Sequence, residues 1–170
     1  MTSTPTVLAL GANLGDPMAA LEGAVKALSQ HPAIEITSVS SAYQTDPVGG
    51  PEQPVYLNAV VLAKTTLTAH ELLAVAHEIE NSWHRTREVH WGARTLDIDI
   101  ITYGDLVSLD EILTLPHPRA GGREFVLVPW LEIDPSAELP GIGPVAGLVA
   151  ARPTGSVRRT SVLPFQGLNP

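Results

Sequence analysis

Trp91-Gly92-Ala93-Arg94-Thr95-Leu96-Asp97-Ile98-Asp99-Ile100-Ile101 closes on an alternation of apolar and acidic residues, the period-two signature of a strand with one face buried. Asp97 and Asp99 therefore share the opposite face. Residues i and i+2 lie roughly 6.5–7 Å apart along a strand, close enough for two carboxylates to converge on a pair of metal ions roughly 3.5–4 Å apart. That geometry suits magnesium chemistry on a polyphosphate. An isolated D-x-D is more often a solvated strand face. This one has particular company, because adjacent acids repel unless cations compensate, and Arg85, Arg87 and Arg94 lie just upstream.

The loop that carries those arginines, together with His90 and Trp91, is the most cationic segment of an acidic chain. It reads either as a solvated basic loop or as an arginine lid over a triphosphate. The helix before it opens on Thr68-Ala69-His70-Glu71, a capping box, and buries Leu72, Val75, Ala76, Ile79 and Trp83 at helical spacing. Glu80 near its C-terminal end opposes the helix dipole, which points to a ligand or an arginine nearby.

Further upstream, Val55 to Ala63 alternates as a strand, with Tyr56, Asn58, Val60 and Leu62 on one face. Tyr56 beside Asn58 is either a core tyrosine with a satisfied hydroxyl or the aromatic face and amide that a flat heterocycle needs. The connection before it, Gln44 to Pro54, holds three prolines and two glycines and is longer than a hairpin requires. It is either a binding loop or a decorative one. Ile34 to Tyr43 is a further strand whose alternation slips near Thr37-Ser38, where a bulge is expected.

Thr6 to Leu10 is a short apolar run that reads as a buried strand ending at Gly11-Ala12-Asn13-Leu14-Gly15. Asp16 as N-cap and Pro17 in the first position start a helix, with Leu14, Met18, Leu21, Val25 and Leu28 turned to the core. No G-x-x-x-x-G-K-[ST] occurs, so any phosphate chemistry is not that of a P-loop. Downstream of the acidic strand come a turn at Tyr103-Gly104-Asp105, a return strand at Leu106-Val107, the segment Leu115-Pro116-His117-Pro118-Arg119, and an apolar stretch, Arg123 to Glu132, suited to pack on the core. Turn-rich segments lead from Asp134 to Pro144 and into the short apolar run Val145 to Ala151. Residues 152–170 carry three arginines, three prolines and no acid, and read as a loosely held tail.

At 170 residues and 44% apolar composition the chain suits a single domain over 1–170. Eighteen acids against ten bases, net charge −8, argue against binding a nucleic-acid backbone. Without cysteine there is neither a disulfide framework nor a thiolate metal site, and the cytoplasm is the natural compartment. No apolar stretch approaches a membrane span. His77, His84, His90 and His117 do not form H-E-x-x-H, since position 81 is asparagine, so a zinc hydrolase is disfavoured. The order strand, helix, strand, strand, helix, strand is that of a ferredoxin-like βαββαβ core, an α+β fold with an antiparallel sheet and helices on one face, here with a C-terminal elaboration.

Four blocks, taken in order, resemble one family: Gly11-Ala12-Asn13-Leu14-Gly15; Asp46-Pro47-Val48-Gly49 with Gln53-Pro54-Val55-Tyr56-Leu57-Asn58-Ala59; Trp91 to Asp99; and Pro116-His117 with Arg123-Glu124-Phe125. On these the chain is similar to 6-hydroxymethyl-7,8-dihydropterin pyrophosphokinases over roughly residues 6 to 135. The resemblance implies transfer of the diphosphate of ATP to the hydroxymethyl oxygen of the pterin, with AMP released. It implies that Asp97 and Asp99 hold two magnesium ions, and that Arg85 and Arg94 stabilise charge on the transferring group. By the same resemblance Arg87 and Trp91 belong to a closing loop, and Glu80, Ile100, His117 and Arg123 contact ATP. Tyr56 and Phe125 would sandwich the pterin, while Thr45, Asn58 and the Val48-Gly49 backbone read its edge. Ala12, Asp46, His84, His90, Pro118 and Glu124 depart from the commonest family pattern. A two-metal nucleotidyltransferase and a non-catalytic ferredoxin-like ligand-binding module are the competing readings. A monomer acting on small molecules is the expectation.

Overall fold

The computed structural model describes residues 2–13, 15–45, 56–83, 95–152 and 157–160. Strand β4 (Tyr56–Thr65) is the centre of the main sheet. Along one edge it takes β1 (Thr4–Ala12), antiparallel from Thr4↔Thr65 to Ala12↔Leu57. Along the other it takes β2 (Ile34–Val39) and then β3 (Tyr43–Thr45). The acidic strand β5 (Asp97–Tyr103) lies at the outer edge of β1, antiparallel to it. All these pairings are antiparallel, and the fold is α+β.

Two helices close one face. Helix α1 (Pro17–Gln30) starts where Asp16 accepts a 3.1 Å hydrogen bond from the Ala19 amide, and α2 (Ala69–Trp83) starts on a reciprocal capping box. There the Thr68 amide donates to Glu71 at 2.9 Å and the Glu71 amide donates to the Thr68 hydroxyl at 3.1 Å. Leu21, Val25 and Leu28 of α1 and Leu72, Ala76 and Ile79 of α2 pack on Leu8, Leu10, Ile98 and Ile100 of the sheet. The C-terminal end of α2 is pinned by Trp83, whose ring covers Gly23; a Cβ there would lie 2.3 Å from the indole.

Within the expected C-terminal elaboration, a third helix, α3 (Glu124–Ile133), covers the other side. Val126, Leu127 and Trp130 pack with Val7, Val60 and Ile101, and α4 (Val145–Ala150) adds Val145 to this second core. Burial on both faces explains why β4 reads apolar on both sides from Ala59 through Ala63. Two small hairpins pair β6 (Ser108–Leu109) with β7 (Thr114–Leu115) and β8 (Glu138–Leu139) with β9 (Gly143–Pro144). The return strand expected at Leu106-Val107 is thus found at Ser108–Leu109, in a sheet of its own.

Two further differences have local causes. The run Ile34 to Tyr43 is two strands, with the expected bulge between Ile36 and Ser38. The break before β3 comes at Ser40, whose hydroxyl oxygen accepts the Val60 amide at 2.9 Å in place of a backbone carbonyl. Within the expected loose tail, Val157–Arg159 form a strand, β10, antiparallel to β3. Strand propensity for three residues is slight, so the pairing partner and not the local sequence makes this element.

Candidate active site

The β1 registers assemble the site. Gly11 sits between Asn58 on β4 and Asp97 on β5, and Ala9 lies between Val60 and Asp99. Gly11 was expected to end the strand, but β1 continues through Ala12. Two side chains this small in the middle of a sheet leave a hollow on the α3 side. A Cβ on Gly11 would already meet Asn58 Oδ1 at 3.2 Å. Ile98 and Ile100 pack toward α1 and α2, and Ile101, at the register shift between β1 and β5, packs toward α3. Asp97 and Asp99 thus share the face opposite Ile98 and Ile100, as the alternation requires.

The hollow is a cavity of about 290 Å³. Its floor is Ala9, Leu10 and Gly11, and its walls include Thr45, Tyr56 and Asn58 on one side, Asp97 and Asp99 on another, and Arg123 and Phe125 from the start of α3. The Asn58 amide donates to the Thr45 hydroxyl at 2.9 Å, which fixes its carboxamide plane. The Arg123 guanidinium lies over the Phe125 ring, 5.4 Å from its centroid, a cation–π contact. Arg123 Nη1 also stands 3.7 Å from Asp99 Oδ2. Arg123, grouped by resemblance with the nucleotide contacts, therefore lines this cavity and reaches the acidic pair.

A second cavity, about 370 Å³, opens on the other side of the pair, between α2, the end of β5 and the β6–β7 hairpin. Asp97 and Asp99 line both cavities. Glu80, Ile100 and His117 line the second, beside Leu113, Thr114 and Glu111. These hairpin residues carried no motif or periodicity in the sequence; they are brought in by the turn-back of β6 onto β7.

His117 is held by its amide, which donates to Ile101 O at 2.9 Å, and by its Nδ1, which accepts the Arg119 amide at 3.2 Å. The ring proton is consequently on Nε2, 3.9 Å from Asp99 Oδ2. Burial pushes the imidazole below the ordinary histidine value, and Arg123 and Arg119 add to this against the opposing pull of Asp99. At neutral pH the ring is neutral, so its contact with Asp99 is that of an N–H dipole and not of an ion pair. Glu80 Oε2 accepts the Ile98 amide at 2.8 Å. Burial pushes its carboxyl above the ordinary glutamate value; the Ile98 bond offsets this and the Asp97 charge adds to it.

Val48, Gly49, Arg85, Arg87, Trp91 and Arg94, with the departures Asp46, His84 and His90, lie outside the described residues. Among the described residues no group of three or more histidine and carboxylate side chains is arranged to hold a metal ion, and no helix is long and apolar enough to cross a membrane.

A model of the 7,8-dihydro-6-hydroxymethylpterin-pyrophosphokinase family matches residues 7–135. The chain is 48% identical over 126 residues to the 2-amino-4-hydroxy-6-hydroxymethyldihydropteridine pyrophosphokinase of Bacillus subtilis, covering 74% of this chain and 75% of that protein. To the enzyme of the same name from Haemophilus influenzae it is 42% identical over 142 residues, covering 84% of this chain and 89% of the relative. It also matches 37% of the bifunctional protein FolKE of Lactococcus lactis, at 44% identity over 75% of its own length. Among solved structures, the wild-type HPPK-DHPS of Plasmodium falciparum superposes with a TM-score of 0.71 at 14% identity, over 88% of this chain and 45% of that one. The likeness there is one of fold, and the chain spans less than half of that longer protein.

Proposed function

The chain belongs to the 7,8-dihydro-6-hydroxymethylpterin-pyrophosphokinase family, and we propose how its two cavities divide the reaction of that family between them. The protein is an ATP-dependent diphosphotransferase of folate biosynthesis acting on 6-hydroxymethyl-7,8-dihydropterin. In our reading the pterin occupies the cavity of Tyr56, Asn58, Thr45 and Phe125. The adenosine of ATP occupies the cavity of Ile100, Thr114 and His117, with the phosphates crossing the Asp97–Asp99 wall. The hydroxymethyl oxygen attacks the β-phosphorus, the bond from that phosphorus to the α,β-bridging oxygen breaks, and AMP leaves. The observation that carries this arrangement is that Asp97 and Asp99 line both cavities.

Phosphoryl transfer asks a protein mainly for position and charge compensation. Two carboxylates on one strand face fit magnesium, which takes one or two protein carboxylates and completes its shell with phosphate oxygens and water. Asp97 and Asp99 would hold two such ions, whose charge would neutralise the triphosphate. Neutral His117 donates from Nε2 toward the acidic wall, in a position suited to a phosphate oxygen. Arg123 stands over Phe125 with one nitrogen toward Asp99, suited to the transferring group. Arg85, Arg94, Arg87 and Trp91 supply the remaining charge and closure, and Val48 and Gly49 complete the pterin's edge. The segment from β1 to β5 is ferredoxin-like in this reading, supported by the order in which β4, β1 and β5 lie side by side, and the protein is a cytoplasmic monomer.

Mixing the protein with ATP, magnesium and 6-hydroxymethyl-7,8-dihydropterin should release AMP only when the pterin is present. Release of pyrophosphate instead would identify a nucleotidyltransferase. Ligand binding without turnover would identify a non-catalytic module.

A further inference from the structure

Beyond the residues 7–135 that carry the family match, β10 is tied into the molecule by a compact polar cluster. Arg159 Nε donates to Ser41 Oγ at 3.0 Å, and Arg159 Nη2 stands 3.6 Å from Glu132 Oε2. Ser41 Oγ donates to that same Oε2 at 2.9 Å, and the Ser41 amide to Oε1 at 3.1 Å. The Tyr43 hydroxyl also donates to Oε1, at 2.9 Å. One carboxylate in the last turn of α3 thus accepts from Tyr43 on β3 and from Ser41 two residues before that strand, and is ion-paired with Arg159 on β10. Backbone bonds run alongside: Val157↔Thr45, Arg158↔Gln44 and Arg159↔Tyr43 pair across the ladder, and the Thr160 amide donates to Ala42 O at 3.0 Å.

The two elements joined at Glu132 are the two that face each other across the first cavity. β3 ends in Thr45, which receives the Asn58 amide. Phe125 is the second residue of α3, seven before Glu132, and residues seven apart lie on nearly the same face of a helix. At about 1.5 Å of rise per residue they are about 10 Å apart along its axis. The rotation and depth at which Glu132 seats on β3 therefore set how far the Phe125 ring stands from Thr45, Tyr56 and Asn58. The Arg159 ion pair is ill suited to a purely stabilising role, in contrast to the hydrogen bonds of the buried Ser41 and Tyr43. The Arg159 side chain is 55% exposed, and ion pairs so exposed contribute little to stability.

We propose that Glu132 is a positioning residue for the pterin cavity, and that β10, through Arg159 and Ser41, is the device that holds Glu132 on β3. The inference rests on the pyrophosphokinase reading and on the assignment of the first cavity to the pterin. Removing Arg159 lets Glu132 shift and widens the gap between Phe125 and Thr45, while the second cavity, built by α2, β5 and the β6–β7 hairpin, is untouched.

The test compares the full-length wild type with Arg159→Ala, Arg159→Lys, Tyr43→Phe and Glu132→Gln, measuring KM for each substrate, kcat and the thermal midpoint. Expected for Glu132→Gln is a rise of about tenfold in pterin KM, and for Arg159→Ala about threefold to tenfold, with ATP KM held within about twofold, since small misplacements of positioning groups carry effects of this size. Arg159→Lys, which keeps the charge but loses the fork that reaches Ser41, should fall between Arg159→Ala and wild type. Should Glu132→Gln fail to fold, Arg159→Ala and Tyr43→Phe decide. An unchanged pterin KM in Arg159→Ala, or equal rises for both substrates, overturns the proposal. So does a loss confined to kcat and thermal midpoint, which is what a merely structural cluster would give. A wild type without pterin-dependent AMP release would end the functional reading itself, a result distinct from an active wild type with an indifferent Arg159→Ala.

Discussion

The two cavities beside Asp97 and Asp99 differ in how their polarity is balanced. In the sheet-side cavity the polar groups are matched: Asn58 donates to Thr45, and Arg123 stacks on Phe125 while facing Asp99. In the hairpin-side cavity Glu80, Asp97, Asp99 and Glu111 meet His77 and His117, with neither arginine nor lysine among the described residues of the lining. A matched cavity accepts a flat, uncharged molecule as it stands. The acidic one is hostile to a polyphosphate until cations arrive, whether as metal ions or as arginines from elsewhere in the chain. In the proposed arrangement this asymmetry would give a physical reason for a shared acidic wall: carboxylates that would repel bare ATP would also gather the cations that ATP brings.

The largest expected effect falls on that wall. Asp97→Ala or Asp99→Ala should lower turnover by about 10³ or more, because metal charge compensation is worth several kcal/mol in the transition state, with the fold retained. Near-normal AMP release from Asp97→Ala would break the metal assignment and with it the contrast drawn between the cavities. Smaller, and confined to one side, is the loss of an aromatic wall. Tyr56→Ala and Phe125→Ala should each weaken pterin binding by about ten- to a hundredfold, the effect of losing about 1–3 kcal/mol of ring stacking, with ATP affinity nearly unchanged in equilibrium titrations. Equal losses for both ligands would mean that the cavities are not separate sites.

The smallest effect sharpens the acidic side. The folded protein holds the Glu80 proton more tightly than the unfolded chain does. Glu80 therefore contributes stability at acid pH that is lost as pH rises from the ordinary glutamate value through its raised folded one. Glu80→Gln keeps an acceptor for the Ile98 amide and removes the charge. Its urea midpoint should match wild type at acid pH and exceed it near neutrality. A midpoint below wild type at neutral pH would show that Glu80 is held charged by a cation. His117 works in the opposite direction: its lowered folded value means stability falls as pH drops through the ordinary histidine range.

Much of this architecture was legible in local sequence. The Asp16 cap and the Thr68–Glu71 box recur in the structure because capping joins residues three apart, and the slip near Thr37-Ser38 recurs because a break in alternation is itself local. The alternation of Leu96 to Ile100 placed both acids on one face for the same reason. Glu80 shows where such reading stops. Its position against the helix dipole was visible, but its partner, the Ile98 amide, comes from the next strand and carries no side-chain signature. Glu132 is the same case at longer range, since Ser41 and Arg159 reach it from far along the chain in both directions.

Sequence by itself determined the alternation of β4 and β5, the starts of the first two helices, the shared face of Asp97 and Asp99, and a resemblance strong enough to name a reaction. Tertiary structure alone decided that α3 covers the opposite face, that Gly11 and Ala9 hollow out a floor between two strands, that the hairpin makes a second cavity, and that Val157–Arg159 is a strand. The division follows from distance along the chain. Periodicity and capping are energies between near neighbours, whereas a cavity, a register and a buried carboxylate's donors are set by segments that meet only after the core has formed.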